Sequence, residues 1–185
     1  MRIRFLPVVA LLALSSRPAA AQLAAVSPVS FSVFAGADIP RGTTADGLNT
    51  GYIVGGAADL HIPLAPIGFR GEVTYASFGA KSLPTGTSGN ATDLGVNLDA
   101  VFGVFNLLVA SPYLIAGGSY SRLGASATSG GVSASQTENH YGFNAGVGVD
   151  LPLGVMAARV DVRYKQINTS GDSFKSIPIT FGIRF

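Results

Sequence analysis

The 185-residue chain contains no cysteine. This absence excludes a disulfide framework and a Cys-based zinc site, although it does not argue against export. Charge is also scarce, because charged residues make up 12% of the chain, against about 25% in soluble domains. A water-soluble globule of this size normally carries more charge on its surface. The length predicts one domain, and the composition argues against a soluble one.

The chain also lacks an apolar run long enough to cross a membrane as a helix. Such a helix needs about 20 apolar residues, whereas the apolar run near the amino terminus covers only residues 5–14. Arg2 and Arg4 precede this run, and three alanines at residues 19–21 follow it. This arrangement is typical of an export signal. We predict a cleaved signal peptide over residues 1–21, a mature domain over residues 22–185, and no inner-membrane anchor.

The positive net charge of the whole chain comes from this leader. Arg2, Arg4 and Arg17 all lie in it, and without them nine Lys and Arg stand against ten Asp and Glu. A mature domain that is slightly acidic has no basic surface to attract phosphates. We therefore expect no nucleic-acid partner.

The last ten residues, SIPITFGIRF, alternate between apolar and non-apolar side chains. Period two is the pattern of a β-strand with one apolar face. The fifth segment with this pattern is the weakest, because Ile115 breaks the parity of Leu114 and Ala116. Pro178 lacks the N–H that a strand paired on both sides uses, so we expect a bulge or frayed pairing there. The pattern predicts eight strands: residues 29–39, 51–62, 69–78, 91–104, 112–122, 138–151, 156–167 and 176–185.

The connections between these strands alternate in length and composition. Polar stretches predict loops at residues 40–50, 79–90, 124–137 and 168–173. Short turns containing Pro or Leu are predicted at residues 63–68, 106–111 and 152–155. An even number of sequential strands, joined alternately by long and short connections, is typical of a barrel with long extracellular loops and short periplasmic turns. The predicted fold of the mature domain is an all-β, eight-stranded, antiparallel up-and-down transmembrane β-barrel.

Aromatic residues indicate which face of the strands meets lipid. A secreted, lipocalin-like barrel would also alternate, with its apolar face inside. In this chain phenylalanines stand on the apolar face at the turn end of the strands: Phe31, Phe69, Phe102 and Phe185. Tyrosines form a girdle on the same face at the loop end: Tyr52, Tyr75, Tyr120, Tyr141 and Tyr164. Because membrane interfaces select aromatic rings at two heights, we predict that the apolar face meets lipid and that the charges point inward.

Under this interpretation the lumen collects charges of both signs. The predicted inward set is Asp59, Arg70, Glu72, Asp93, Asp99, Asp150, Arg159, Asp161, Arg163, Lys165 and Arg184. Buried charges must find partners, so these side chains could form a network that fills the lumen. Alternatively, they could line a selective pore. We favour the network, because an eight-stranded barrel leaves little free interior.

Two histidines, His61 and His140, are candidates for acid–base chemistry. His140 lies near Glu138 and among many serines, so a catalytic triad is conceivable. A triad requires a nucleophile, a base and an orienting group in mutual reach, and no spacing here matches such a motif. We therefore predict no catalytic, cofactor-binding or metal-binding residues and no cofactor.

The export signal, strand rhythm, aromatic girdle and terminal Phe185 resemble the eight-stranded outer-membrane barrels, namely the OmpA-like transmembrane domain, the OmpX-like proteins and the opacity-type proteins. The resemblance implies location in the bacterial outer membrane, contact with lipid and lipopolysaccharide, and a monomer. It also implies that the barrel-assembly machinery reads the final strand through Phe181, Ile183 and Phe185. Because the sequence stops at Phe185, we do not expect the peptidoglycan-binding domain of the OmpA-like pattern.

Three functions are compatible with this architecture. The first is a structural or surface-interaction barrel whose loops at residues 40–50, 79–90 and 124–137 meet the outside. The second is a narrow pore for small or apolar solutes, and the third is a lipid A-modifying enzyme. We favour the first.

Overall fold

Eight antiparallel strands close into a barrel in the computed structural model of the chain, which describes residues 28–81, 87–105, 109–130, 132–169 and 171–185. The strands pair in sequence order, and the last pairs with the first, which confirms the predicted fold. The predicted signal peptide lies outside the described residues. The strands are β1 (Val29–Arg41), β2 (Gly51–His61), β3 (Ile67–Gly79), β4 (Thr87–Gly103), β5 (Ser111–Ser129), β6 (Val132–Leu153), β7 (Met156–Ile167) and β8 (Phe174–Arg184).

The barrel wall is apolar outside and polar inside, and β3 shows how the sequence produces this arrangement. Phe69 and Val73 are 45% and 56% exposed, whereas Arg70 and Glu72 on the other parity are 1% and 3% exposed. Successive side chains of a strand point to opposite faces, so an alternating sequence sorts itself between lumen and outer surface. This polarity is opposite to that of a soluble barrel.

The stretch at residues 124–137 is not a loop, as its composition predicted, but the upper part of a long hairpin. Strands β5 and β6 stay paired to Ser129 and Val132, and Gly130 at the turn has a φ of 56°. Small Ser, Ala and Thr side chains fit a strand pair as well as a loop, and hydroxyls pair across it, as between Thr128 and Ser133 at 2.9 Å.

The predicted loops at residues 79–90 and 40–50 are also partly structured. Strand β4 already begins at Thr87 within the predicted loop 79–90. The β1–β2 connection holds a five-residue helix, α1 (Thr43–Gly47). Across the described ranges, no helix is long and apolar enough to span a membrane.

Closure between β1 and β8 runs from Lys175 to Phe185. The ladder pairs Arg41 with Lys175 at the loop end, and Phe31 exchanges two backbone hydrogen bonds with Phe185 at the turn end. Near Pro178, β8 pairs with β7 at Ile179 and again at Ser176 in the same register, but not at the two residues between them. The proline therefore interrupts the ladder because it has no backbone N–H to donate. It does not make a bulge, because no extra residue is inserted into β8.

Candidate functional site

All eleven charged residues predicted to face inward lie on the lumen side of their strands. Ten of them are at most 8% exposed, and the Arg184 side chain, at the turn end, is 27% exposed. The charges converge because strands far apart in sequence are brought to face each other across a narrow barrel. They fall into a turn-end cluster, a middle cluster and a loop-end cluster.

The turn-end cluster is held together by Asp59, which bridges two arginines. One carboxylate oxygen accepts from Arg70 Nε at 2.6 Å, and the other accepts from Arg159 Nη1 at 2.9 Å. Arg159 also donates to both oxygens of Asp150, at 2.8 and 3.2 Å. Arg184 approaches Asp150 at 3.5 Å from the rim.

Tyr113 is a lumen residue that sequence reasoning missed. Its hydroxyl donates to Asp161 Oδ1 at 2.7 Å, and the guanidinium groups of Arg70 and Arg159 lie 5.0 and 5.7 Å from its ring centre. A cation over an aromatic face is attracted by the ring quadrupole. The signal was present in the sequence, since Tyr113 shares the parity of Ile115, the residue that blurred the β5 pattern.

The middle cluster centres on a bidentate ion pair between Arg163 and Glu72. Arg163 Nη1 and Nη2 donate to the two carboxylate oxygens at 2.7 and 2.6 Å. Arg163 Nη1 also reaches Asp99 at 3.3 Å. Asn97 donates to Glu72 at 3.3 Å and Asn144 to Asp99 at 2.8 Å. The paired, hydrogen-bonded geometry is what makes burial of these charges tolerable.

The loop-end cluster contains Lys165, Asp93 and a further acid, Asp38. Lys165 Nζ donates to Asp93 Oδ2 at 2.6 Å. Asp38 is 1% exposed, and neither of its carboxylate oxygens has a hydrogen-bond partner among the described residues. Sequence reasoning left Asp38 out of the inward set, although it shares the parity of Ser32 on β1, whose side chain is also buried in the lumen.

At the level of the loop-end cluster the lumen also contains a group of packed apolar side chains, called here the apolar layer, which was not predicted from the sequence. Ile53, Ala76 and Phe78 form its buried core. Phe78 meets Phe174 edge to face with ring centres 5.5 Å apart, and Leu48 packs against the same core. Ile53, Ala76 and Phe78 stand on the inward parity of their strands, so parity holds at this level, but the inward-facing side chains here are apolar instead of polar.

Cavities lie at both ends of the barrel and a small one lies between them. The cavity at the loop end, called here the outer cavity, measures about 290 Å³ and is floored by the apolar layer. A second of about 230 Å³ opens at the turn end beside Asp150 and Arg184. The middle cluster borders a void of only about 20 Å³. The described lumen is therefore filled in its middle.

The two histidines lie at opposite ends of the barrel. His140 Nε2 lies 3.2 Å from Glu138 Oε2, and His61 Nε2 lies 3.4 Å from Arg184 Nη1. In the part of the chain that the structure describes, the imidazole of His140 hydrogen-bonds no serine side chain. Nor does any group of three His, Cys, Asp or Glu side chains in that part converge as metal ligands.

The five girdle tyrosines all point outward, with exposed fractions between 37% and 73%. Tyr52 and Tyr75 lie 6.3 Å apart between ring centres, and Tyr120 and Tyr141 lie 5.2 Å apart. Neighbouring strands thus place their rings side by side around the outer surface. On β8 and its end, Phe181, Ile183 and Phe185 are 62%, 50% and 59% exposed on the same surface.

Solved outer-membrane proteins have a similar structure at low sequence identity. Neisserial surface protein A is 20% identical with a TM-score of 0.58, over 85% of this chain and 96% of that chain. A major outer membrane protein from Thermus thermophilus is 18% identical with a TM-score of 0.63, over 85% and 98%. Ail, the attachment invasion locus protein of Yersinia pestis, is 15% identical with a TM-score of 0.52, over 85% and 97%. These likenesses show a shared barrel fold.

Sequence comparison identifies the family directly. No curated protein matches the chain in sequence. The family model for the outer membrane protein beta-barrel domain, however, matches residues 7–185. With this match, a closed eight-stranded barrel and an apolar outer surface, the chain belongs to the outer membrane protein beta-barrel domain family and resides in the bacterial outer membrane.

Proposed function

We propose that the protein is a surface barrel whose projecting hairpin binds extended polypeptide segments, while its lumen stays closed. The observation that carries this proposal is an open strand edge on β6. Strand β6 pairs with β5 from Val132 to Asp150 but with β7 only from Gly142 onward. Among the described residues, residues 132–140 therefore have a neighbouring strand on one side only.

The direction of the open backbone groups follows from one hydrogen bond. The carbonyl of Tyr141 accepts from Asn168 N–H at 2.9 Å, so the backbone groups of Tyr141 point toward β7. In an antiparallel strand the N–H and C=O of alternate residues point to the same side. The backbone groups on the open side consequently belong to Ser133, Ser135, Thr137 and Asn139.

An open edge of this kind is a template for another strand. Proteins protect exposed edges with Pro, Lys or inward-pointing charges. Residues 132–140 contain neither Pro nor Lys, and Glu138 is their single charged residue. The side chains of the four open residues are small and polar, so they leave the backbone groups accessible. Affinity would come from main-chain hydrogen bonds and would be modest without aromatic anchors.

A closed lumen supports a surface role over a channel. The middle of the barrel holds the bidentate pair of Arg163 and Glu72 beside a void of about 20 Å³. The apolar layer around Phe78 lies above it. In this proposal the charge network supports the barrel wall from inside and carries no solute.

The remaining parts of the proposal concern the membrane. The tyrosine girdle and apolar belt contact lipid and lipopolysaccharide, and the barrel-assembly machinery reads Phe181, Ile183 and Phe185 during biogenesis. With the short turns in the periplasm, the β5–β6 hairpin projects outside the cell. No nucleic acid or second subunit is needed.

The test is selection of peptides against the purified barrel in lipid nanodiscs. Peptides selected from a random library should bind wild type and Ser135→Ala equally, because the alanine keeps the backbone donor. Ser135→Pro should lose binding, because proline removes that donor from the open edge. Methylating alternate backbone nitrogens of a selected peptide should abolish its binding. Equal binding to Ser135→Pro and wild type would contradict the proposal.

A further inference from the structure

The outer cavity has an apolar floor and an acidic wall. Phe78, Phe174 and Leu48 form the floor, and Leu123 on β5 adds to the apolar side. Its volume of about 290 Å³ is near the lower end of the roughly 300–1,000 Å³ typical of small-molecule sites. An apolar surface that size, set below a polar rim, suits a small ligand with an apolar body.

The polar wall comes from one face of β6. Gln136, Glu138 and His140 alternate along the strand and all line the cavity. Gln136 Nε2 donates to Glu138 Oε1 at 2.6 Å, and His140 Nε2 lies 3.2 Å from Glu138 Oε2. The carboxylate of Glu138 is thus held in place by both neighbours before any ligand arrives.

A second carboxylate in the lining, Asp93, has an oxygen without a partner. Asp93 is 2% exposed, and its Oδ2 is bound to Lys165 at 2.6 Å. Its Oδ1 is buried and accepts no hydrogen bond among the described residues. A buried acceptor left unpaired is costly, so a donor reaching it would be favoured.

The charges of this wall select the sign of the ligand. Among the described residues, the lining contains Asp93 and Glu138 but no Lys or Arg. Because Lys165 balances Asp93 from below, the uncompensated negative charge of the lining lies on Glu138. We propose that the outer cavity binds a small organic ammonium ion, with its apolar body on Phe78 and Phe174 and its N–H donors on Glu138.

Phenethylamine is a suitable probe, because it joins a protonated ammonium group to one phenyl ring. Phenethyl alcohol keeps the phenyl ring without a charge, and phenylacetate carries a negative charge in place of the positive one. Binding is measured by isothermal titration calorimetry on the full barrel in nanodiscs, with empty nanodiscs subtracted. Wild type should bind phenethylamine about threefold more tightly than the alcohol, since the Glu138 side chain is 49% exposed and solvent weakens an ion pair at such a site. Phenylacetate should bind more weakly than either.

Glu138→Gln should reduce phenethylamine affinity to that of the alcohol and leave alcohol binding unchanged. Asp46→Asn is the matched control, because it removes the same charge from exposed α1, at the same end of the barrel but outside the cavity. This control should bind like wild type. No binding above empty nanodiscs, no preference for the amine, or an equal loss in both variants would overturn the proposal. Heat-modifiable migration on gels verifies that each variant is folded.

Discussion

Phe31 and Phe185 exchange both of their backbone hydrogen bonds, Phe31 N–H to Phe185 C=O at 2.9 Å and Phe185 N–H to Phe31 C=O at 2.8 Å. They are the last pair of the seam that closes the barrel at the turn end. Both side chains lie on the outer surface, 53% and 59% exposed. The backbone of Phe185 therefore helps to close the barrel, while its aromatic side chain lies on the outer surface.

Deleting Phe185 should impair outer-membrane assembly more than deleting a loop residue. The deletion removes two hydrogen bonds from the seam and the aromatic end of β8, whereas loop residues contribute to neither. Assembly is measured by the heat-modifiable fraction in outer-membrane preparations. Phe185→Ala keeps the backbone pair and separates the two contributions. Normal amounts of heat-modifiable barrel in the deletion variant would refute this expectation.

The parity of side chains was the part of the fold that sequence predicted well. Along β3 the alternation of Phe69, Arg70, Val73 and Glu72 is unambiguous, because the two sides of the wall have opposite polarity. The ends of β2 and β7 were predicted to within one residue, whereas β5 and β6 run six or seven residues beyond their predicted loop ends. Small residues at 124–137 satisfy both a loop and a strand, and only the pairing of β5 with β4 and β6 decides between them.

Parity predicted eleven of the inward-facing charged residues of the candidate site, but it did not predict which of them pair with each other. Parity placed Arg163 and Glu72 inside, but their pairing across the lumen depends on barrel shear and tilt, which one sequence does not state. The apolar layer was not predicted from the sequence, for a different reason. Phe78 is an isolated apolar residue on the inward parity at the end of the predicted strand, and only the closed barrel shows that Phe174 reaches it from β8.

Removing Arg163 should destabilise the barrel strongly. Arg163→Ala leaves Glu72 buried without its bidentate partner, at a cost of about 3–5 kcal/mol. The double change Arg163→Leu with Glu72→Leu should recover most of this loss, because neither charge then remains unpaired. Arg184→Ala is the control at the partly exposed turn end, with an expected cost of about 0–1 kcal/mol. Urea titration of folding into lipid vesicles measures all three, and equal loss in the single and double variants would contradict the expectation.

A methyl group at Gly148 should be tolerated poorly. A Cβ there would overlap the ring of Tyr113 and lie 2.6 Å from Asp161 Oδ1, so overpacking should cost about 1–3 kcal/mol. Gly118→Ala is the matched control, because nothing lies within 4 Å of a Cβ at that position. The same urea titration distinguishes the two, and equal stability of both variants would show that the lumen adapts more easily than its packing indicates.

The purified barrel should show no steady current in planar lipid bilayers. Two barriers lie in series, the ion-paired middle cluster with its void of about 20 Å³ and the apolar layer around Phe78, and apolar constrictions block ions by excluding water. Arg159→Ala and Arg163→Ala should each carry no steady current, because the apolar layer remains intact.

Phe78→Ala should carry no steady current either, because the ion pairs remain. Combining Arg163→Ala with Phe78→Ala should give measurable conductance, provided that gel migration shows a folded barrel. Steady current through the wild type would contradict the closed lumen and favour a pore instead.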